Sequence, residues 1–290
     1  MKTFQQAMRA QDFVVTAQLP LRPSMTREKL RANIAELQSF VDAVQISDNR
    51  MAEGHMDVLA AASIALDCGV DPIFQLSCRD RNRIALKSAL LGAAALGVTS
   101  LVLTRGQKMP DALRGEMKSV FDTKVTQLIE IARYIGDNTS FVDPPGFYVG
   151  AMTPVIRPNA DWRAPQIEDK ISAGIQFLQI RPCFNPKPLR SYMAKLVSLK
   201  ILHRVSVLVE VPLLTSAKMA TDLKDRLPGV RIPSALIARI ADAPDPTAEG
   251  IRLCAELLAQ LPSIPGVSGA NIVYDDDVAH IVDAIQQASI

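Results

Sequence analysis

The feature that most constrains this chain is an alternation that recurs eight times. Short runs of β-branched and aliphatic residues are each followed by a longer stretch of helical periodicity. Strands are expected over 13–17, 41–46, 72–76, 99–103, 146–151, 177–180, 205–209 and 267–273. Helices are expected over 26–40, 56–67, 81–96, 118–135, 165–173, 189–202, 217–226, 234–241 and 247–261, with a last one from about 276. The strand runs are nearly continuously apolar, as in a parallel sheet covered by helices. Regular βα alternation implies such a sheet. Eight units in 290 residues imply closure into a (β/α)8 TIM barrel of the α/β class, one domain over 1–290. An open doubly wound sheet is the alternative. It is disfavoured because Ala17-Gln18-Leu19-Pro20 stands where a glycine-rich phosphate turn would follow the first strand.

Charge and cysteine usage narrow the function. With 32 basic and 30 acidic residues the net charge is +2, which gives neither a nucleic-acid footprint nor a polybasic membrane patch. No uncharged apolar run reaches membrane-spanning length, and the N-terminus has no long apolar stretch of a secretory signal. Cys68, Cys78, Cys183 and Cys254 are widely spaced, without a histidine ligand set. That argues against a metal site or a disulfide framework and fits a reducing cytoplasm.

In a barrel of this kind chemistry sits where strands end. The polar residues there are Gln18; Ser47, Asp48 and Asn49; Gln75, Ser77, Arg79 and Asp80; Thr104, Arg105, Gly106 and Gln107; Thr153 and Arg157; Gln179 and Arg181; Glu210; Asn271 and Tyr274. Four arginines, Arg79, Arg105, Arg157 and Arg181, suggest a phosphate-bearing ligand, since planar guanidinium groups match phosphate oxygens. Any one of them is as well explained by pairing with Asp48, Asp80 or Glu210. Gly106 would let a ligand approach the backbone. Glu210 either neutralises Arg181 across the rim or serves as an acid. Phe184, Tyr192 and Trp162 either stack on a ring ligand or pack. His55, His203 and His280 accompany no candidate nucleophile. The chemistry is therefore expected to belong to a cofactor.

Several segments resemble the methylenetetrahydrofolate reductase family. The most telling is Gln75-Leu76-Ser77-Cys78-Arg79-Asp80-Arg81-Asn82-Arg83 followed by Leu90-Leu91-Gly92-Ala93-Ala94-Ala95-Leu96-Gly97. Others are Thr104-Arg105-Gly106, Lys170-Ile171-Ser172-Ala173-Gly174, Pro228-Gly229-Val230-Arg231-Ile232-Pro233 and Gly266-Val267-Ser268-Gly269-Ala270-Asn271-Ile272. The resemblance runs from about residue 12 to 288. It implies a cytoplasmic flavoprotein oxidoreductase of one-carbon metabolism. Such an enzyme holds FAD at the barrel mouth and passes hydride from NAD(P)H to methylenetetrahydrofolate. Ser47, Asp48, Gln75, Arg105, Gly106, Arg157 and Lys170 would contact FAD. The resemblance leaves room for a homo-oligomer or a one-carbon methyltransferase partner.

Three positions depart from the family pattern. Gln18 stands for a glutamate general acid. Gln107 stands for the aspartate of an Arg-Gly-Asp run. Ile180-Arg181 stands for a Thr-Gln pair that contacts pterin. Two carboxylates are neutralised and a cation is added, so the site is three charges more positive. Gln18, Gln107, Arg181 and Glu210 are the residues on which the chemistry should turn. The alternative is a catalytically altered homologue that binds flavin or folate, acts on another C1 carrier, or serves as a partner subunit.

Overall fold

A computed structural model of the chain describes residues 2–49, 52–109, 115–138, 146–182, 184–226, 232–273 and 277–290. Eight parallel strands close into a barrel in chain order. They are β1 (Val14–Gln18), β2 (Ala43–Ile46), β3 (Pro72–Ser77), β4 (Ser100–Thr104), β5 (Tyr148–Thr153), β6 (Phe177–Ile180), β7 (Ser206–Pro212) and β8 (Gly269–Val273). β1 pairs with β2 on one side and with β8 on the other, which removes every sheet edge. The TIM-barrel expectation holds, and the open-sheet alternative falls.

Local chemistry places the outer helices. Thr26 caps α2 (Arg27–Leu37) by accepting from Lys29 N, and Asp57 caps α3 (Val58–Asp67). Asn82 caps α4 (Arg83–Ala95), and Gly97 follows at φ 84, the left-handed stop expected there. α5 (Val125–Asp137), α6 (Pro165–Ala173) and α7 (Pro186–Ser198) complete the next three crossovers. The last crossover carries α8 (Ala217–Arg226), α9 (Ser234–Ala241) and α10 (Pro246–Gln260), and α11 (Val278–Ala288) closes the ring. α8 to α10 bury a satellite cluster that includes Leu214, Ala220, Ile240 and Phe184. Phe184 therefore packs. Tyr192 is 1% exposed and lies 5.7 Å from the Trp162 ring, so both pack as well.

One element escaped the sequence reading. α1 (Phe4–Ala10) precedes the first strand and plugs the N-terminal end of the barrel. Phe4 sits edge-on to Phe177 at 5.3 Å, with Tyr148 stacked on Phe177 at 4.9 Å. Asp71 locks the plug: Phe4 N donates to its Oδ2 at 2.7 Å. Burial pushes the Asp71 carboxyl up to about 6, against the Phe4 N–H, which pulls it down. A folded-state value above the unfolded one means that the native state holds a proton the unfolded chain has released. The stability this group supplies is full at low pH and is lost as pH rises through about 6. The shift is worth at most about 3 kcal/mol. Asp71→Asn is expected to flatten the dependence of the urea midpoint on pH between about 5 and 8, and equal slopes in both proteins would refute this.

Candidate functional site at the barrel mouth

A small pocket of about 30 Å³ opens at the C-terminal ends of the strands. Its walls include Asp48, Gln75, Ser77, Gly106, Gln107 and Arg181, with Thr104 and Met152. Eight residues singled out from the sequence, Asp48, Gln75, Ser77, Arg79, Thr104, Gly106, Gln107 and Arg181, thus come together. The strand register brings them there, because β2, β3, β4 and β6 deliver their C-terminal residues to one rim. Met152 adds a flexible apolar wall that the sequence reading gave no role.

The Gln75–Arg83 segment is wired inward. Ser77 N donates to Asp48 Oδ2 at 2.8 Å, and Arg81 NH1 reaches both Asp48 oxygens at 2.6 and 2.7 Å. Arg79, 2% exposed, pairs with Asp80 at 2.6 Å through Nε and donates to Asn49 O at 2.7 Å. Arg79 therefore serves the rim pair and not a phosphate, which corrects its place in the arginine set. A buried guanidinium is held only with its partners satisfied, and Asp80 with Asn49 O satisfies it. Burial pushes the Asp48 carboxyl above its ordinary range even though Arg81 pulls it down.

Gly106 has a structural explanation of its own. At φ 80, an added Cβ would lie 2.3 Å from Ser77 Oγ and 2.8 Å from Arg79 Cβ. The chain itself fills the space that the sequence reading reserved for a ligand. Arg105 is exposed and stacks over the Phe121 ring at 4.6 Å. Arg157 is also exposed. Ser47 is buried, and its Oγ donates to Gln75 Oε1 at 3.5 Å. Gln18 ends β1, half-buried.

Two cations have no acid. Lys170, from α6, donates to Met152 O at 2.8 Å. Burial first, and then the Arg181 charge, hold its ammonium below the ordinary range. Among the described residues neither Lys170 nor Arg181 makes an ion pair, whereas Asp48 and Asp80 are each taken by an arginine. The expected Arg181–Glu210 pair is not formed. Glu210 is 0% exposed and accepts instead from Gln179 Nε2 at 2.9 Å. Beneath the mouth lies a buried amide cluster that includes Thr16 and Gln45, which the sequence reading missed. The available signal was polar side chains interrupting apolar strands two residues before Gln18 and Ser47.

Tyr274, Cys183 and 228–231 lie outside the described residues. Among those described, no group of three or more His, Cys, Asp or Glu is placed to hold a metal, and no helix is long and apolar enough to cross a membrane. Among the described residues, Cys68, Cys78 and Cys254 form no disulfide.

Fold and site together define a TIM barrel whose polar pocket lies at the C-terminal mouth. The family described as methylenetetrahydrofolate reductase matches residues 3–270, and the chain belongs to it. No curated protein matches the sequence. Among solved structures, the chain is similar to one described as "Uncharacterized protein from Clostridium thermocellum binds two copies of 5-methyl-5,6,7,8-tetrahydrofolic acid". The two are 15% identical with a TM-score of 0.71, over 98% of this chain and 96% of the other. A long-chain alkane monooxygenase, LadA, shares the fold at 9% identity and a TM-score of 0.54, over 96% and 90% of the two chains.

Proposed function

We propose that this chain is a flavin-dependent oxidoreductase of one-carbon metabolism that interconverts methylenetetrahydrofolate and methyltetrahydrofolate, with NAD(P)H as co-substrate. The observation that carries the reading is the uncompensated Lys170–Arg181 pair beside a polar barrel mouth in a chain of the reductase family. Two cations without an acid favour a ligand that brings its own negative charge. FAD brings a pyrophosphate, and folates carry carboxylates. The methyltetrahydrofolate bound by the Clostridium thermocellum protein supports a folate as the second ligand.

The chemistry of the donors on this rim suits FAD. Lys170, Arg157 and Arg105 would meet the pyrophosphate. Ser47 and Gln75 would hydrogen-bond the ring. Asp48, engaged by Arg81, would act by fixing the loop after β2. Gly106 would shape the wall. Bound FAD supplies hydride acceptance and donation. The neutral amides of Gln18 and Gln107 orient polar groups and release no proton at neutral pH, so a held water must carry the proton. The chain works as one barrel domain in the cytoplasm.

The test is direct. Purified protein incubated with FAD should retain a flavin absorbance after gel filtration. NADH or NADPH should bleach it without oxygen, and methylenetetrahydrofolate should restore it. A colourless protein that takes up no FAD would refute the reading. One observation favours a second reading, a folate-binding subunit without turnover, partnered by a methyltransferase or by a second copy. Among the described residues the only carboxylate lining the pocket, Asp48, has both oxygens engaged. That reading requires methyltetrahydrofolate binding with no flavin reduction.

A further inference from the structure

Six polar side chains from six different strands are shut inside the barrel below the mouth. Thr16, Gln45, Gln179, Glu210 and Asn271 are 0% exposed and Gln75 is 3% exposed. Their hydrogen bonds run in one direction. Gln179 Nε2 donates to Glu210 Oε1 and to Gln45 Oε1, both at 2.9 Å. Asn271 Nδ2 also donates to Gln45 Oε1, at 2.6 Å. Gln45 Nε2 then donates to Gln75 Oε1 at 2.8 Å. With Gln75 Oε1 taken by Gln45 and Ser47, Nε2 is the polar atom that Gln75 has left for the pocket it lines.

The direction has a cause at the far end. A carboxylate oxygen has no hydrogen to give, so the side chain beside Glu210 must present its nitrogen. Turning the Gln179 amide over would set its oxygen against Glu210 Oε1 and Gln45 Oε1. The chain keeps the other orientation although it leaves Gln179 Oε1 buried without a hydrogen-bond partner. An unmade buried hydrogen bond is unfavourable, so something stronger holds the amide in place. Gln179 and Asn271, the latter oriented by Thr16 Oγ1 donating to its Oδ1 at 2.9 Å, together set Gln45, and Gln75 then follows.

We propose that Glu210 is a positioning residue that fixes the polarity of this amide chain, so that the mouth offers Gln75 Nε2 as a hydrogen-bond donor to an acceptor atom of a bound fused-ring heterocycle. Flavin and pterin share that acceptor chemistry. The proposal rests on the function proposed above only for the identity of the ligand.

The ligand-free test uses protein carrying nitrogen-15 only in glutamine side chains. In the wild type, the amide protons of Gln45 and Gln179 should exchange slowly and those of Gln75 quickly. Glu210→Gln keeps the shape and adds a donor, which lets the chain reverse. The Gln75 amide should then turn inward and become protected. If that variant does not fold, Gln179→Leu cuts the same chain midway and should change the Gln75 exchange too. Unchanged Gln75 exchange in a folded variant overturns the proposal.

The ligand arms titrate FAD into flavin-stripped protein and methyltetrahydrofolate into flavin-loaded protein. Glu210→Gln should weaken whichever ligand meets Gln75 by about tenfold, the scale of one hydrogen bond to a buried partner. In a Gln75→Met background the same substitution should add nothing. Equal losses in both backgrounds would assign Glu210 a merely structural role and overturn the proposal. If the wild type binds neither ligand, the proposed function fails, and the exchange experiment still decides what Glu210 does.

Discussion

Gln18→Glu combined with Gln107→Asp is expected to raise the rate of methylenetetrahydrofolate reduction by about 10²–10⁴-fold, the usual contribution of a positioned general acid. Gln107 lines the pocket, and Gln18 ends β1, three strands around the same rim. As amides, neither gives up a proton at neutral pH. Reduction of a methylene bridge to a methyl group needs one proton for each hydride, so the natural sequence depends on water. The gain should appear in kcat more than in KM, because a proton donor acts in the transition state. The charge surroundings set a limit. Among the described residues Lys170 and Arg181 make no ion pair, and a new carboxyl beside them would be held ionised, so less of it would carry a proton to donate at neutral pH. Adding Arg181→Gln should therefore raise the rate further and move the alkaline fall of the pH profile to higher pH. Anaerobic reoxidation of reduced flavin by methylenetetrahydrofolate, followed in single turnover, measures this. A rate unchanged by all three substitutions would mean that the pocket differs from the family's in shape as well as charge.

Arg81→Met is expected to cost about 3–5 kcal/mol of folding stability at neutral pH, the range for removing one partner of a buried ion pair. The Asp48 side chain is 1% exposed and that of Arg81 18% exposed. Without Arg81, the Asp48 carboxylate keeps only the Ser77 N–H at 2.8 Å. Burial already holds the Asp48 carboxyl above its ordinary value, and losing the cation moves it higher. The folded form then binds a proton over a wider window than the unfolded chain does. The stability deficit should be largest at about pH 8 and shrink as pH falls through the raised value, toward full protonation of Asp48. Asp48→Asn on top of Arg81→Met should recover most of the loss, since no charge is left stranded. Urea midpoints at pH 5 and pH 8 decide the matter. A loss under about 1 kcal/mol at pH 8 would place Arg81 among ordinary surface pairs. FAD affinity should fall in parallel, because Asp48 sits in the loop that carries Ser47.

Legibility in the sequence followed the range of each interaction. The eight strands and their crossovers were readable because periodicity, caps and stops act within a few residues. Thr26, Asp57 and Gly97 do at their helix ends what their types predict. α1 was missed although Thr3 and Gln6 form a capping box at its start; it is only seven residues long, and the barrel floor of Tyr148 and Phe177 that it packs against lies far along the chain. The Gln75–Arg83 run was legible as a site segment, but the partners of its charges were not. Arg79 and Arg81 look alike in sequence. Only the approach of the loop after β2 commits them to Asn49 and Asp48.

By itself, then, the order of residues determined the barrel, its family and the rim on which chemistry would gather. Those depend on local periodicity and on which side chains end each strand. Tertiary structure alone decided that Arg79 is spent inside the rim, that Lys170 and Arg181 make no ion pair among the described residues, and that Glu210 lies beneath the pocket rather than in it. The physical reason is that a charge or an amide takes its role from whatever faces it across the barrel, and closure of the sheet brings those groups together from positions far apart in the chain.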